Sequence, residues 1–132
     1  MAKKEVYKRE NENFLKEISL QSDIKRIDRI FYKEIKKGEN SVSPNLNSIV
    51  TVHYKGKLIN GKEFDNSVKR NYPEAFRVRD VIEGWQIALQ GMNVGDKWTV
   101  YIPYELGYGS RSIPDIPAFS TLIFDIELLG IM

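Results

Sequence analysis

The sequence predicts an α+β fold: a curved antiparallel sheet folded around one short α-helix, with a short helical extension at the N-terminus. Three observations carry that expectation. Residues 48–58, 97–103 and 121–129 alternate apolar and polar side chains with the period of a strand. Asn60-Gly61 follows the first of these stretches and supplies a strong hairpin turn. Only one helical pattern, from Asp80 to Gly91, interrupts the strands, and several strands with a single short helix fit the α+β class.

Size and composition narrow the possibilities further. At 132 residues and 15.3 kDa the chain suits one globular core that buries roughly two-thirds of its unfolded surface. A content of 42% hydrophobic and 29% charged residues excludes disordered and collagen-like chains. No apolar run approaches the ~18 residues of a spanning helix, so no membrane span is expected. The net charge of +2 lacks the basic field of a dedicated nucleic-acid binder. The absence of cysteine excludes disulfides, thiolate nucleophiles and Cys-based zinc sites.

The chain changes character near residue 40. Residues 1–40 hold 11 Lys/Arg and 8 Asp/Glu without a proline, whereas residues 41–132 hold 9 and 10 and all five prolines. We therefore divide the sequence into a charged N-terminal extension, 1–40, and a denser body, 41–132. In the extension, Tyr7, Asn11, Phe14, Leu15 and Ile18 recur at helical spacing and predict a helix over about residues 5–20. Its apolar stripe is thin, so packing on its own domain, and a monomer, are expected over a dimerisation arm. A strand over about 27–37 follows, with Ile30, Tyr32 and Ile35 among charges, and it ends at Gly38. The basic start precedes no apolar stretch, so the default expectation is a cytoplasmic protein. A leader removed before residue 1 would instead place it in the periplasm or on the cell surface.

In the body, Val50, Val52 and Tyr54 share one face of the first strand, and the Asn60-Gly61 turn leads to Phe64-Asp65. Asp80-Val81-Ile82-Glu83 has the form of a capped helix start, and the helix continues to Gly91. The last strand presents Leu122, Phe124, Ile126 and Leu128 on one face.

The inventory of reactive groups excludes several chemistries. His53 is the single histidine, and with no Cys or second His nearby it reads as a sheet residue, neither ligand nor base. There is no G-x-S-x-G elbow and no phosphate-binding loop, and Gly107-Tyr108-Gly109 lacks the third glycine of a dinucleotide fingerprint. What stands out is aromatic. Tyr54, Phe64, Phe76, Trp85, Tyr104, Tyr108 and Phe124 lie in or beside the predicted strands, helix and last loop. Spacing alone allows them to be core, or the walls of an apolar cleft.

The motifs themselves are more specific. In order they are Val52-His53-Tyr54-Lys55-Gly56, Gly61-Lys62-Glu63-Phe64-Asp65-Asn66-Ser67, Val81-Ile82-Glu83-Gly84-Trp85, Met92-Asn93-Val94-Gly95-Asp96, Pro103-Tyr104-Glu105-Leu106-Gly107-Tyr108-Gly109, Ile116-Pro117 and the strand from Thr121 to Leu128. Together they cover about residues 44–130 and closely resemble the FKBP family of peptidyl-prolyl cis/trans isomerases. Tyr104-Glu105-Leu106-Gly107-Tyr108-Gly109 and the short spacing from Pro73 to Trp85 look like the bacterial, macrophage-infectivity-potentiator-like branch.

That resemblance implies a sheet half-wrapped around the helix, with a pocket between them that takes proline-containing polypeptides and assists their folding. It implies Trp85 as the pocket floor, Tyr54, Phe64 and Phe124 as aromatic walls, and Phe76 beside them. Val81 and Ile82 would form a rim offering a backbone N–H, and Ile116 would lie in a loop over the site. Tyr108 would donate its hydroxyl to a substrate carbonyl, and Asp65 would be the charged group of the wall. No cofactor or metal is implied. Macrolide inhibitors are admitted as ligands of the same pocket. A protein-docking module or holdase chaperone on the same fold is the alternative function. Two departures from the family pattern concern the rim: Glu74 stands where some members carry an aromatic, and Ala118-Phe119-Ser120 replaces a more usual proline and polar residue, leaving Phe119 expected at the surface.

Overall fold

The computed structural model describes residues 3–132. Its elements are α1 (Lys3–Ser19), β1 (Lys25–Ile27), β2 (Ile30–Lys36), β3 (Ile49–Lys57), β4 (Glu63–Asn66), β5 (Glu74–Arg77), α2 (Glu83–Gly91), β6 (Lys97–Ile102) and β7 (Leu122–Ile131), with short 3-10 turns at Val78–Asp80 and Tyr104–Leu106. The strands form one antiparallel sheet in the order β1-β2-β6-β7-β3-β4. One edge of β3 pairs along its length with β7, while its other edge is shared, β5 taking residues 49–52 and β4 residues 55–57.

The alternation along β3 explains this arrangement. Val50, Val52, Tyr54 and Gly56 point into the concave side, where α2 lays Trp85, Ala88 and Leu89 against them. Trp98, Val100 and Ile102 of β6 and Leu122, Phe124, Ile126 and Leu128 of β7 complete the same core. The helix lies close to the sheet because Gly84 has no side chain there; a Cβ would stand 2.5 Å from Ile102 Cγ2.

α2 starts later than its sequence suggests. Asp80 does not cap it: residues 78–80 form their own 3-10 turn, and the helix begins at Glu83 after an Ile82 that makes no side-chain cap. Val78 is fully buried and donates its N–H to Ser48 O at 3.0 Å, which ends the chain's descent there. Val81 and Ile82 follow in extended conformation. Gln86 reaches back instead, its Nε2 donating to Val81 O at 2.9 Å and Arg79 O at 3.2 Å.

The expected strand over 27–37 is a hairpin. β1 and β2 pair through Ile27 and Ile30 around Asp28-Arg29, with Asp28 at φ 53°. The ladder between β2 and β6 shifts at Ile35, which is 51% exposed, while Ile30 and Tyr32 enter the core. The change of composition at residue 40 is thus a change of surface, since β1 and β2 belong to the same sheet and core as the body.

α1 covers the other face of the sheet. Phe14 meets Tyr101 with ring centroids 6.3 Å apart, and with Ile18 it lines a groove against Leu58 and Ile123. Ile123, an outward residue of β7, is thereby 6% exposed. Asn11 is fully buried, its Oδ1 accepting the N–H of Thr121 at 2.7 Å, and Tyr7 bonds Ser120 at 2.8 Å. The stripe read from the sequence is therefore used within the chain. No helix among the described residues is long and apolar enough to cross a membrane.

Candidate active site

Between α2, the concave end of the sheet and the loop 103–121 lies a pocket of about 410 Å³. Its floor is Trp85, placed by the first turn of α2 and 4% exposed. Three aromatic rings meet it edge to face: Tyr54 at 5.1 Å and 87°, Phe124 at 5.3 Å and 89°, and Phe76 at 5.6 Å and 84°. Edge-to-face contact sets the positive edge of one ring against the negative face of the other, which holds each ring at a defined angle. The indole N–H is buried without an acceptor among the described residues.

A local irregularity of β4 brings two further residues in. Lys57 faces Glu63, but Gly56 faces Asp65, so Phe64 is an extra residue in the ladder. In a regular strand consecutive side chains point to opposite faces. The bulge relaxes that rule, and both Phe64 and Asp65 line the pocket. Phe64 packs on Phe124 at 5.5 Å and 87°. Gly56 leaves room for this, because a Cβ there would lie 2.6 Å from carbons of both rings.

Asp65 is the centre of a polar network in this apolar wall. Tyr54 donates its hydroxyl to Oδ2 at 2.5 Å, the backbone N–H of Asn66 donates to Oδ1 at 2.9 Å, and Arg70 donates to Oδ1 at 2.6 Å. Arg70 also donates to the Tyr54 hydroxyl at 3.2 Å and to Glu74 at 3.2 Å. Burial pushes the Asp65 carboxyl up, but the Tyr54 and Arg70 hydrogen bonds outweigh it and hold the group below the usual carboxylate range. Burial first, and then the bond to Asp65, pushes the Tyr54 phenol up to about 12. At neutral pH the wall thus carries a carboxylate whose lone pairs are largely occupied and a phenol that stays protonated.

The remaining lining comes from irregular chain. Val81 and Ile82 stand at the rim ahead of α2, with Asp80 beside them. On the opposite side, Ile113 and Ile116 bond each other's backbone at 3.0 and 3.1 Å around Pro114-Asp115, which brings Pro114 and the 5% exposed Ile116 over the pocket. Tyr108 joins them from the same loop, 39% exposed, its phenol pushed up by burial and by the charge of Asp65.

Tyr54, Phe64, Asp65, Phe76, Val81, Ile82, Trp85, Tyr108, Ile116 and Phe124 are all gathered in this one pocket. Sequence reading missed Asp80 and Pro114 at its rim and Arg70 behind it, and took Glu74 only as a departure from the family pattern at the rim, not as the Arg70 partner it is. Asp80 carried a signal, but as a helix cap; Arg70 and Glu74 flank an irregular segment in which no periodicity predicts where a side chain goes. His53 bonds Ser67 through Nδ1 at 2.9 Å and lies outside the pocket. Phe119, expected at the surface, is half-buried under α1. Among the described residues no cluster of three or more His, Asp or Glu gathers to hold a metal.

Comparison with known proteins shows the family. Residues 40–129 match the family described as FKBP-type peptidyl-prolyl cis-trans isomerase. The chain is 44% identical to the FKBP-type peptidyl-prolyl cis-trans isomerase FkpA of Buchnera aphidicola (subsp. Schizaphis graminum) over 98% of its own length and 54% of that protein's. It is also 44% identical to the peptidyl-prolyl cis-trans isomerase Mip of Coxiella burnetii, over 76% of this chain and 44% of that one. It spans about half the length of these curated relatives. The crystal structure of a peptidyl-prolyl cis-trans isomerase from Pseudomonas syringae pv. tomato superimposes with a TM-score of 0.90 at 34% identity, covering 99% of this chain and 97% of that one.

Proposed function

The chain belongs to the FKBP-type peptidyl-prolyl cis-trans isomerase family, in its macrophage-infectivity-potentiator-like branch, and from that premise we propose that it accelerates rotation about Xaa-Pro bonds in polypeptides and so assists their folding. The observation that carries the reading is the Trp85 floor in perpendicular contact with three aromatic rings beside a carboxylate already engaged by Tyr54 and Arg70. We assign the isomerase unit to residues 41–132, to which β1 and β2 contribute sheet and core.

Rotation about an Xaa-Pro bond crosses a barrier of ~20 kcal/mol because twisting removes amide resonance. Nothing need be broken, so neither nucleophile nor metal is required. The planar amide is strongly dipolar and well solvated; the twisted amide has a smaller dipole. A dry aromatic pocket therefore disfavours the planar state relative to the twisted one, and that difference lowers the barrier. The proline ring rests on Trp85 between Tyr54, Phe124 and Phe76, with Phe64, Val81, Ile82 and Ile116 enclosing the chain around it. Tyr108 donates its hydroxyl to a substrate carbonyl next to the rotating bond and holds one side of the amide still.

Asp65 acts through position and charge. A proton-transfer base needs a free lone pair and a pKa near the working pH. Asp65 has the first largely occupied and the second held low. It tethers Tyr54 against Trp85 and sets a fixed negative charge beside the reorienting amide.

The test is line-broadening exchange NMR on a short Leu-Pro peptide. Wild type at substoichiometric concentration is expected to speed cis/trans exchange, and Asp65→Ala and Tyr108→Phe to slow it. A folded wild type that binds the peptide without accelerating exchange sinks the enzyme reading and puts a docking module or holdase in its place. Two finer readings belong to the same proposal. The internal use of the α1 stripe supports a monomer, which light scattering measures directly. A macrolide competing for the pocket would displace the peptide in the same NMR experiment.

A further inference from the structure

Resting on the isomerase reading above, we propose that α1 is a latch for the active-site loop, and that Phe119 and Asn11 are positioning residues acting through that loop on Tyr108. The observation that points here is the backbone of Phe119, at φ 66°. Left-handed backbone is disfavoured for a bulky residue, because its Cβ crowds the following carbonyl, and it persists only where the surroundings over-determine it.

The surroundings that hold Phe119 come largely from α1. Its ring meets Tyr104 edge to face at 5.0 Å and 87°. The ammonium groups of Lys4 and Lys8 lie 5.5 and 5.2 Å from its centroid, and Lys8 is also 5.9 Å from the ring of Tyr104. Cations over aromatic faces are attracted by the ring quadrupole, so two lysines one helical turn apart grip the pair of rings from above. A buried bolt lies one turn further along the same face. Asn11 Oδ1 accepts the N–H of Thr121 at 2.7 Å, its Nδ2 donates to Tyr7 O at 2.8 Å, and Thr121 Oγ1 donates to Asn11 O at 3.3 Å.

From Phe119 the connection to the pocket is short. Its N–H donates to Gly109 O at 2.9 Å, and the Gly109 N–H donates to Tyr104 O at 2.8 Å. Gly109 is the neighbour of Tyr108, so the left-handed turn at Phe119 fixes the peptide that carries the proposed hydroxyl donor. Without α1 contacts, Phe119 is free to return to negative φ. That rotation turns its N–H away from Gly109 and releases Tyr108. α1 therefore acts on the reaction without reaching the pocket, through one strained residue.

The test uses the full chain and two readouts. Phe119→Gly removes the ring while tolerating the left-handed backbone, so the protein folds and its thermal midpoint holds or rises. Amide hydrogen exchange at Gly109 and Thr121 should then quicken about tenfold. Peptide exchange NMR should show kcat lower by about threefold to tenfold with KM little changed, because the loss is one of geometry in the transition state. Phe119→Tyr should keep both wild-type values, and Lys4→Gln with Lys8→Gln should move both in the same direction by about twofold. A Phe119→Gly chain with wild-type loop exchange overturns the proposal, and so does faster exchange with unchanged kcat. A wild type without turnover removes the isomerase reading instead, and hydrogen exchange then decides the latch by itself.

Discussion

Trp85 and Tyr108 line one pocket, yet they are held in different ways. Trp85 is 4% exposed, seated on a helix and in perpendicular contact with three rings, each from a residue on a strand of the central sheet. Tyr108 is 39% exposed and rides on a loop outside the sheet, between a 3-10 turn and the tight turn at Pro114-Asp115. The first wall belongs to the hydrophobic core, so its shape cannot change without cost to the fold. The second is joined to that core by a few backbone bonds, so it can change with little cost. Under the proposed function, that division pairs a dry floor set by the core with a donor whose place is set by the loop and its contacts.

The comparison predicts where stability and activity separate. The largest effect is expected from Trp85→Ala, which empties the floor and removes about 3–5 kcal/mol of stability together with the activity, measured by urea unfolding and peptide exchange. Gly56→Ala should follow at about 1–3 kcal/mol, because its Cβ must push aside Phe64 and Phe124, and activity should fall with it. Tyr108→Phe should behave in the opposite sense, lowering kcat about tenfold, the worth of one hydrogen bond, while stability stays within ~0.5 kcal/mol. If Tyr108→Phe costs as much stability as Gly56→Ala, the two walls are not different in kind.

The polar network gives smaller and sharper effects. Arg70 is partly exposed, so Arg70→Gln should cost little stability, an effect that shrinks further in high salt. Its larger consequence should be a looser Tyr54 and slower peptide exchange. The smallest effects are in pH dependence. Asp65 has a depressed pKa in the folded state, so its contribution to stability is fully present above about pH 4 and disappears as pH falls through the lower folded value. The stability difference between wild type and Asp65→Asn should therefore be flat at neutral pH and narrow only in acid. Tyr54 has the reverse sign. Its raised pKa contributes stability below about pH 10, which is lost as pH rises through about 12. An ultraviolet titration should find one phenol ionising near 12 in wild type and at lower pH in Asp65→Asn.

Legibility in the sequence followed the length and regularity of each element. β3, β6 and β7 could be read because alternation over several residues leaves little choice of face, and the Asn60-Gly61 turn because Gly61 adopts φ 87°. The β1–β2 hairpin could not, since Asp28-Arg29 is a weak turn signal and Asp28 enters the left-handed region only in its folded context. Nor could β5, whose four residues are too few for a period to show. The D-x-x-E pattern at Asp80 pointed to a cap, but burial of Val78 overrode that local preference.

The sequence by itself determined the class of fold, the order of its motifs and the aromatic character of the pocket, because each depends on periodicity or on residue type. Only the tertiary structure decided that Phe64 and Asp65 share a face, since the bulge that permits it exists only when β4 is paired with Gly56 and Lys57. It alone put Arg70 behind Asp65 and Phe119 beneath α1, over separations of 5 and of more than 100 residues. Hydrogen bonds and ring contacts at such distances carry no local pattern. They are written in the way a chain closes on itself, and a sequence read along its length does not contain that closure.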